Sequence, residues 1–128
     1  MQYITIFHAN LNYAYLTEDR YEFVIRREYK MTLDTMLTVF PDVPYVFEAS
    51  GYPLGQMAQK TPDVLEKMKA AIVRGQCEFM GSPYAHPMLP NFPQADGLWS
   101  IRFSNDVYER MLGFRPKSFW NPECGWRS

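Results

Sequence analysis

Ser118-Phe119-Trp120-Asn121-Pro122-Glu123-Cys124-Gly125-Trp126 is the stretch on which the reading of this chain turns. The residues from Lys117 to Trp120 suit a short buried strand. Pro122 has no amide hydrogen to give to a ladder, so pairing stops there. The next residue is a glutamate flanked by two tryptophans and followed by a glycine. A carboxylate among aromatic rings is costly to bury without a partner and is kept chiefly where its charge has a use. The plain alternative is a glutamate exposed in a turn. The way the other strands end decides between the two.

Taken outward from that stretch, the chain repeats the pattern. Gln2 to Phe7 is an apolar run rich in β-branched and aromatic residues, and it stops at His8-Ala9-Asn10-Leu11-Asn12-Tyr13, a polar loop. Glu18 to Phe40 carries Tyr21, Val24, Ile25, Tyr29, Leu33, Met36, Leu37 and Phe40 at spacings that predict a long amphipathic helix, with Thr17 or Asp19 as its cap and Pro41 as its stop. Tyr45 to Phe47 is a second strand, leading into Glu48-Ala49-Ser50-Gly51-Tyr52-Pro53, read as a polar connection. Thr61-Pro62-Asp63 has the cap, first-position proline and early acid of a helix start, and Leu65, Met68, Ala71 and Ile72 form its stripe before Gly75. Cys77 to Met80 is the third strand. It enters Gly81-Ser82-Pro83-Tyr84-Ala85-His86-Pro87-Met88-Leu89-Pro90, a loop stiffened by prolines. A third helix is expected over Asp96 to Leu112 on a stripe of Leu98, Ile101, Val107, Tyr108 and Met111, with Phe103 off it.

The order is β-α-β-α-β-α-β, an α/β class of parallel strands in right-handed βαβ units. In such sheets and barrels ligands bind at the carboxyl ends of the strands. His8, Glu48, Ser82 with His86, and Glu123 each follow the end of a different strand, and that coincidence favours a site over four unrelated polar residues.

Bulk properties narrow the partner. The 128 residues carry 13 basic and 14 acidic side chains, a formal charge of -1, so no basic footprint points to nucleic acid or an anionic membrane surface. Aromatic residues make up 16% of the chain, many beside Pro, Gly, Asn and His, where rings serve as stacking surfaces for a ring-shaped ligand as well as for packing. Cys77 and Cys124 form neither a CxxC pair nor part of a His cluster, and both are read as reduced and buried in a cytoplasmic protein. The N-terminus lacks the basic and long apolar regions of a signal peptide, and no run is long enough to span a membrane.

Each residue has a structural reading beside its functional one. His8 is either a satisfied core histidine or a group lining a site next to Asn10 and Asn12. Glu48 caps the following turn, pairs with an arginine, or serves the site. His86, between two prolines, has little packing reason to be a histidine. Trp120 and Trp126 are core rings or a sugar platform. His8, His86 and Glu48 also make up the His2Glu composition of a zinc site, although no HxxxH or HxD pairing accompanies them, and neither metal nor cofactor is expected. A carboxylate ringed by aromatics and neutral hydrogen-bonding groups suits a polyol better than an anion. Glycoside hydrolysis needs two carboxyl groups, roughly 5 Å apart in retaining enzymes.

The stretches His8-Ala9-Asn10, Gly81 to Pro90 and Trp120-Asn121-Pro122-Glu123-Cys124-Gly125-Trp126 resemble the first three conserved regions of glycoside hydrolase family 57, whose members include retaining α-amylases, 4-α-glucanotransferases and glycogen branching enzymes on an incomplete (β/α)7 barrel. The resemblance runs over essentially the whole chain. It implies that Glu123 is the nucleophile, that His8 and His86 line the subsite of the reacting glucose, and that Trp120 is a subsite wall. The substrate implied is an α-glucan or maltooligosaccharide. Glu48 and Ser82 are expected to contact substrate or to orient neighbours. Two departures stand out: Ala9-Asn10 replaces the usual Gln-Pro of the first region, and the family's general acid, an aspartate on a later strand, has no counterpart. Residues 1–128 are therefore expected to be the N-terminal part of a barrel, truncated after its fourth strand and inactive alone. The rival expectations are a non-catalytic carbohydrate-binding half-barrel that completes itself by dimerising and a metal-dependent polysaccharide deacetylase.

Overall fold

The computed structural model describes residues 3–12 and 16–125; Gln2, Tyr13 and Trp126, which figure in the sequence reading, lie outside them. Four parallel strands, β1 (Ile6–Ala9), β2 (Tyr45–Ala49), β3 (Cys77–Gly81) and β4 (Ser118–Phe119), pair in the order β1-β2-β3-β4. A sequential order built from right-handed crossovers brings every helix to the same face, which is the wall of a barrel rather than a doubly wound sheet.

The register explains which side chains go where. Phe7, Phe47 and Phe79 are aligned across three strands, and this row faces the helices: Phe47 meets Tyr29 edge-on at 6.2 Å and Phe79 meets Tyr108 at 5.4 Å. The next row, His8, Glu48 and Met80, is aligned on the opposite face. β2, the strand that contributes Glu48, is buried along its whole length, as expected of a strand with neighbours on both edges and both faces covered.

β1 and β2 end two residues later than the sequence predicts, β3 one later, and β4 one earlier. His8 and Glu48 lie inside β1 and β2 rather than after them, because an apolar run cannot reveal how far a ladder continues into polar residues. At the other end, Tyr3 and Ile4 are exposed rather than buried; pairing with β2 begins only where Thr5 accepts from the Val46 amide.

The first long helical run consists of a 3-10 turn (Glu18–Arg20), α1 (Tyr21–Val24), a π-helical segment (Ile25–Tyr29) and α2 (Lys30–Thr38). Tyr21, Ile25, Tyr29 and Leu33 are all buried at four-residue steps. In a regular α-helix each such step overshoots a full turn by about 40°, so the stripe would drift away from the core. The wider π segment takes up that drift. Thr17 makes no side-chain cap at the start. Phe40 is exposed rather than part of the stripe, since the helix has already ended and the Gln76 amide closes it by donating to the carbonyls of Met36 and Phe40.

A helix that the sequence reading took for a polar connection, α3 (Gly51–Lys60), follows β2 directly. Gly51, Pro53 and Gly55 obscure it, but Leu54 and Met57 are fully buried. Gly51 is required by proximity: a Cβ there would come within 2.8 Å of the Tyr84 ring and 3.0 Å of Ser104 Cα. Thr61 ends α3 instead of capping α4 (Pro62–Val73), its hydroxyl donating back to the Met57 carbonyl. α5 (Gln94–Leu112) starts two residues earlier than expected and stops at Gly113, which adopts φ 82°. Leu98 is exposed rather than buried, as is the off-stripe Phe103.

From α5, Tyr108 reaches the carboxyl ends of two strands. Its buried hydroxyl donates to the Ala49 carbonyl at 2.8 Å and accepts from the Ser82 amide at 3.0 Å. Burial raises its phenol pKa above the ordinary value. Replacing Tyr108 by Phe leaves a buried amide without its acceptor. It is expected to lower unfolding stability by about 1–3 kcal/mol, measured by urea denaturation against Phe103→Leu on the exposed side of the same helix, which should shift stability by no more than about 0.5 kcal/mol.

Candidate active site

Glu48 has no exposed surface. Its Oε2 accepts from His8 Nδ1 at 2.9 Å, and its Oε1 accepts from His86 Nε2 at 2.7 Å and from the Ser82 hydroxyl. Three donors, one from β1 and two from the loop after β3, thus converge on one carboxylate. Burying an ion of this size costs several kcal/mol, and each hydrogen bond to a charged group returns about 1.5–3 kcal/mol, so the three donors are sufficient to hold it. Neither the turn cap nor the arginine partner considered for Glu48 is what it uses. Ser82, just past β3, is equally enclosed.

His86 is brought in by its loop. The backbone there takes φ 51°, its amide donating to the Pro83 carbonyl at 3.0 Å. Upstream, the Tyr84 amide donates to the Ser100 hydroxyl and the Tyr84 carbonyl accepts from the Tyr52 amide, so the loop is fastened to both α5 and α3. His8 is clamped on its flat side as well: the Trp120 ring lies 4.6 Å from it at 56°.

Beyond Trp120 the chain makes a tight turn. Pro122 is buried; the Cys124 amide donates to the Asn121 carbonyl, the Gly125 amide to the Pro122 carbonyl, and the Asn121 side chain to the Gly125 carbonyl. Within it Glu123 and Cys124 adopt φ 56° and 49°, left-handed conformations that cost about 1–2 kcal/mol per non-glycine residue. The result is that Glu123 is pushed outward at the carboxyl end of β4. It is exposed, and it lines a cleft of about 440 Å³ together with His8, Asn10, His86, Trp120, Pro122 and Cys124.

A profile of Glycosyl hydrolase family 57 matches residues 2–128. The chain belongs to this family. Alpha-amylase 1 of Dictyoglomus thermophilum is 32% identical over 109 residues, a match covering 83% of this chain and 16% of that protein. The crystal structure of the 4-alpha-glucanotransferase from Thermococcus litoralis superposes with a TM-score of 0.78 at 28% identity, covering 98% of this chain and 20% of that one. A peptidoglycan deacetylase, PdaC of Bacillus subtilis, shares the fold alone, at TM-score 0.59 and 18% identity over 98% of this chain and 50% of that one. The chain spans about a sixth of the length of the curated relatives it matches. Its four strands and their helices correspond to the N-terminal part of the (β/α)7 barrel of family 57 enzymes.

Of the residues singled out in the sequence, His8, His86, Trp120 and Glu123 share the cleft wall, whereas Glu48 and Ser82 sit behind it. A ligand in the cleft meets the histidines and not the buried carboxylate. Three further lining residues, Asn10, Pro122 and Cys124, are not among the sequence candidates. Asn10 was signalled by lying two residues after His8, and Cys124 was misread as buried: it is exposed, its backbone turned outward with Glu123. The cysteines are both free. Among the described residues no group of three or more His, Cys, Asp or Glu is arranged to hold a metal ion, and no helix is long and apolar enough to cross a membrane.

The left-handed backbone at Glu123 has a consequence for stability. Asn tolerates the left-handed region better than Glu; Glu123→Asn is therefore expected to raise unfolding stability by up to about 1 kcal/mol, read as a shift in urea midpoint, whereas Glu123→Val lowers it. A Glu123→Asn variant less stable than the parent would contradict the strained turn.

Proposed function

We propose that this chain supplies the nucleophile half of a retaining α-glucan-active site, of the hydrolase or glucanotransferase type that its relatives are named for. The observation that carries the reading is the presentation of Glu123: an exposed carboxylate on a strained turn, in a cleft whose other walls are the Trp120 ring and the hydrogen-bonding groups of His8, His86 and Asn10. Sugar rings stack their C–H faces on such an indole and satisfy their hydroxyls on such neighbours.

In this mechanism a Glu123 oxygen attacks the anomeric carbon. The glycosidic C–O bond breaks, and the leaving oxygen takes a proton from a general acid. The covalent glycosyl-enzyme is then opened by water or by the hydroxyl of an acceptor sugar, which returns its proton to the same acid. Glu123 is the one carboxylate lining the cleft among the described residues. Glu48, with both oxygens engaged and no exposed surface, is unsuited to protonate a leaving group. The acid is therefore proposed to come from protein outside these 128 residues.

The non-catalytic carbohydrate-binding reading draws on the same observation, a single carboxylate in the cleft, and shares the predicted ligand. The deacetylase reading lacks its third ligand, since both oxygens of Glu48 are taken by His8, His86 and Ser82 and no group of three or more His, Cys, Asp or Glu is arranged to hold a metal ion among the described residues.

Maltooligosaccharides offered to the 128-residue chain alone should be bound but not turned over, because general acid catalysis contributes about 10²–10⁴ in rate. A longer form carrying the remaining barrel strands should turn them over, and Glu123→Gln should reduce that rate by at least about 10³ while leaving binding within a few-fold. Turnover by the short chain would place the acid within it. Full activity of the Glu123→Gln long form would remove Glu123 from the chemistry and favour the binding module. Trp120→Ala is expected to weaken maltooligosaccharide binding roughly tenfold, a loss of about 1 kcal/mol of ring stacking, measured by isothermal titration.

A further inference from the structure

The hydrogen bonds around Glu48 imply more than stability. A carboxylate oxygen has only lone pairs to offer, so each imidazole nitrogen facing it is the one that carries hydrogen. On His8 that nitrogen is Nδ1, and on His86 it is Nε2. In their neutral forms the two rings are then opposite tautomers: His8 is left with a bare Nε2 and His86 with a bare Nδ1. Both residues line the cleft. His8 Nε2 is engaged by nothing among the described residues, and the side chain is 40% exposed. His86 is 9% exposed, and its Nδ1 is buried with no partner among them. A His8 ring turned over to exchange its nitrogens would lose the bond from Nδ1 to Glu48, and the Ser82 hydroxyl takes a further lone pair of Glu48 on the oxygen that His86 uses.

We propose that Glu48 is a positioning residue that sets the hydrogen-bond polarity of the cleft, fixing His8 as the Nδ1–H and His86 as the Nε2–H tautomer so that His8 offers an acceptor nitrogen, Nε2, to a ligand. The ligand class that matches is a hydroxyl donor. A sugar hydroxyl donates to the bare nitrogen, while a phosphate or carboxylate meets a lone pair there and is turned away. The choice of an α-glucan as that donor rests on the function proposed above; the tautomers do not.

The chain contains only two histidines, so two-bond nitrogen–proton correlation spectra of the ¹⁵N-labelled chain show two imidazoles, assigned by replacing either one with Gln. The spectra are recorded well above the ordinary imidazole pKa of about 6.5. The expected wild-type result is one pure Nδ1–H pattern for His8 and one pure Nε2–H pattern for His86. Ser82→Ala, which keeps the carboxylate, should retain both. Glu48→Gln places an amide N–H against one of the rings, and at least one histidine should lose its pure tautomer. Averaged or reversed patterns in the wild-type chain overturn the proposal, and this holds even if Glu48→Gln fails to fold. Unchanged patterns in a folded Glu48→Gln chain overturn it too. Maltotriose is then titrated in. A shift at His8 Nε2 supports both proposals. Correct tautomers with no response to maltotriose, but with a response to another polyol such as cellotriose, leave the positioning role standing and sink the α-glucan reading.

Discussion

Glu48 is the constraint on which the cleft depends. An ion with no exposed surface has to be matched by donors or not be there at all, and the donors it recruits are drawn from β1, from the residue after β3 and from the proline-rich loop. Each of these segments is therefore located by a common point. The strand register brings His8 directly opposite Glu48 before any side chain chooses a rotamer, and the left-handed backbone at His86 swings the third partner in. The carboxylate is central to the cleft without being exposed in it.

The layers beneath are arranged to keep that point still. Tyr108 bridges Ala49 and Ser82, the residues beside Glu48 and after β3. Ser104, one turn earlier on α5, accepts the first amide of α3 at 2.9 Å. The helix that follows Glu48 is thus capped by a neighbouring helix rather than by its own side chain, and the positive end of its dipole is already occupied. Farther out, Asp34 of α2 receives both Lys30 and Lys67, and these hydrogen bonds lower its carboxyl pKa below the ordinary range. Such a partly exposed cluster adds little stability on its own, yet it aligns two helices on the face opposite the cleft row.

Much of this was legible in the sequence, and the gaps have physical causes. The parallel order and the assembly of polar residues at strand ends follow from short apolar runs that switch abruptly to His, Glu or Ser. Those runs could not give the ladder lengths, because hydrogen bonding continues through His8 and Glu48 regardless of polarity. α3 was hidden by Gly51, Pro53 and Gly55, whose poor helix propensity is overridden by burial of Leu54 and Met57. The sequence marked His8, Glu48 and His86 one at a time. Their mutual bonding spans separations of 40 and 38 residues, and no local pattern encodes a contact of that range. Cys124 was assigned to the interior because cysteine usually goes there, and the two left-handed residues that turn it outward are not a type that sequence periodicity reports.

The π-helical segment between Tyr21 and Leu33 has an evolutionary reading. A residue inserted into a helix normally rotates everything beyond it by about 100° and strips the downstream stripe from the core. A widened stretch of the kind seen at Ile25–Tyr29 is able to absorb such a residue, and beyond it Leu33 and Met36 are buried. A helix able to do this can gain or lose one residue without rebuilding the sheet it packs on. The outer layer can thus drift in length while the strand ends that form the cleft stay in register.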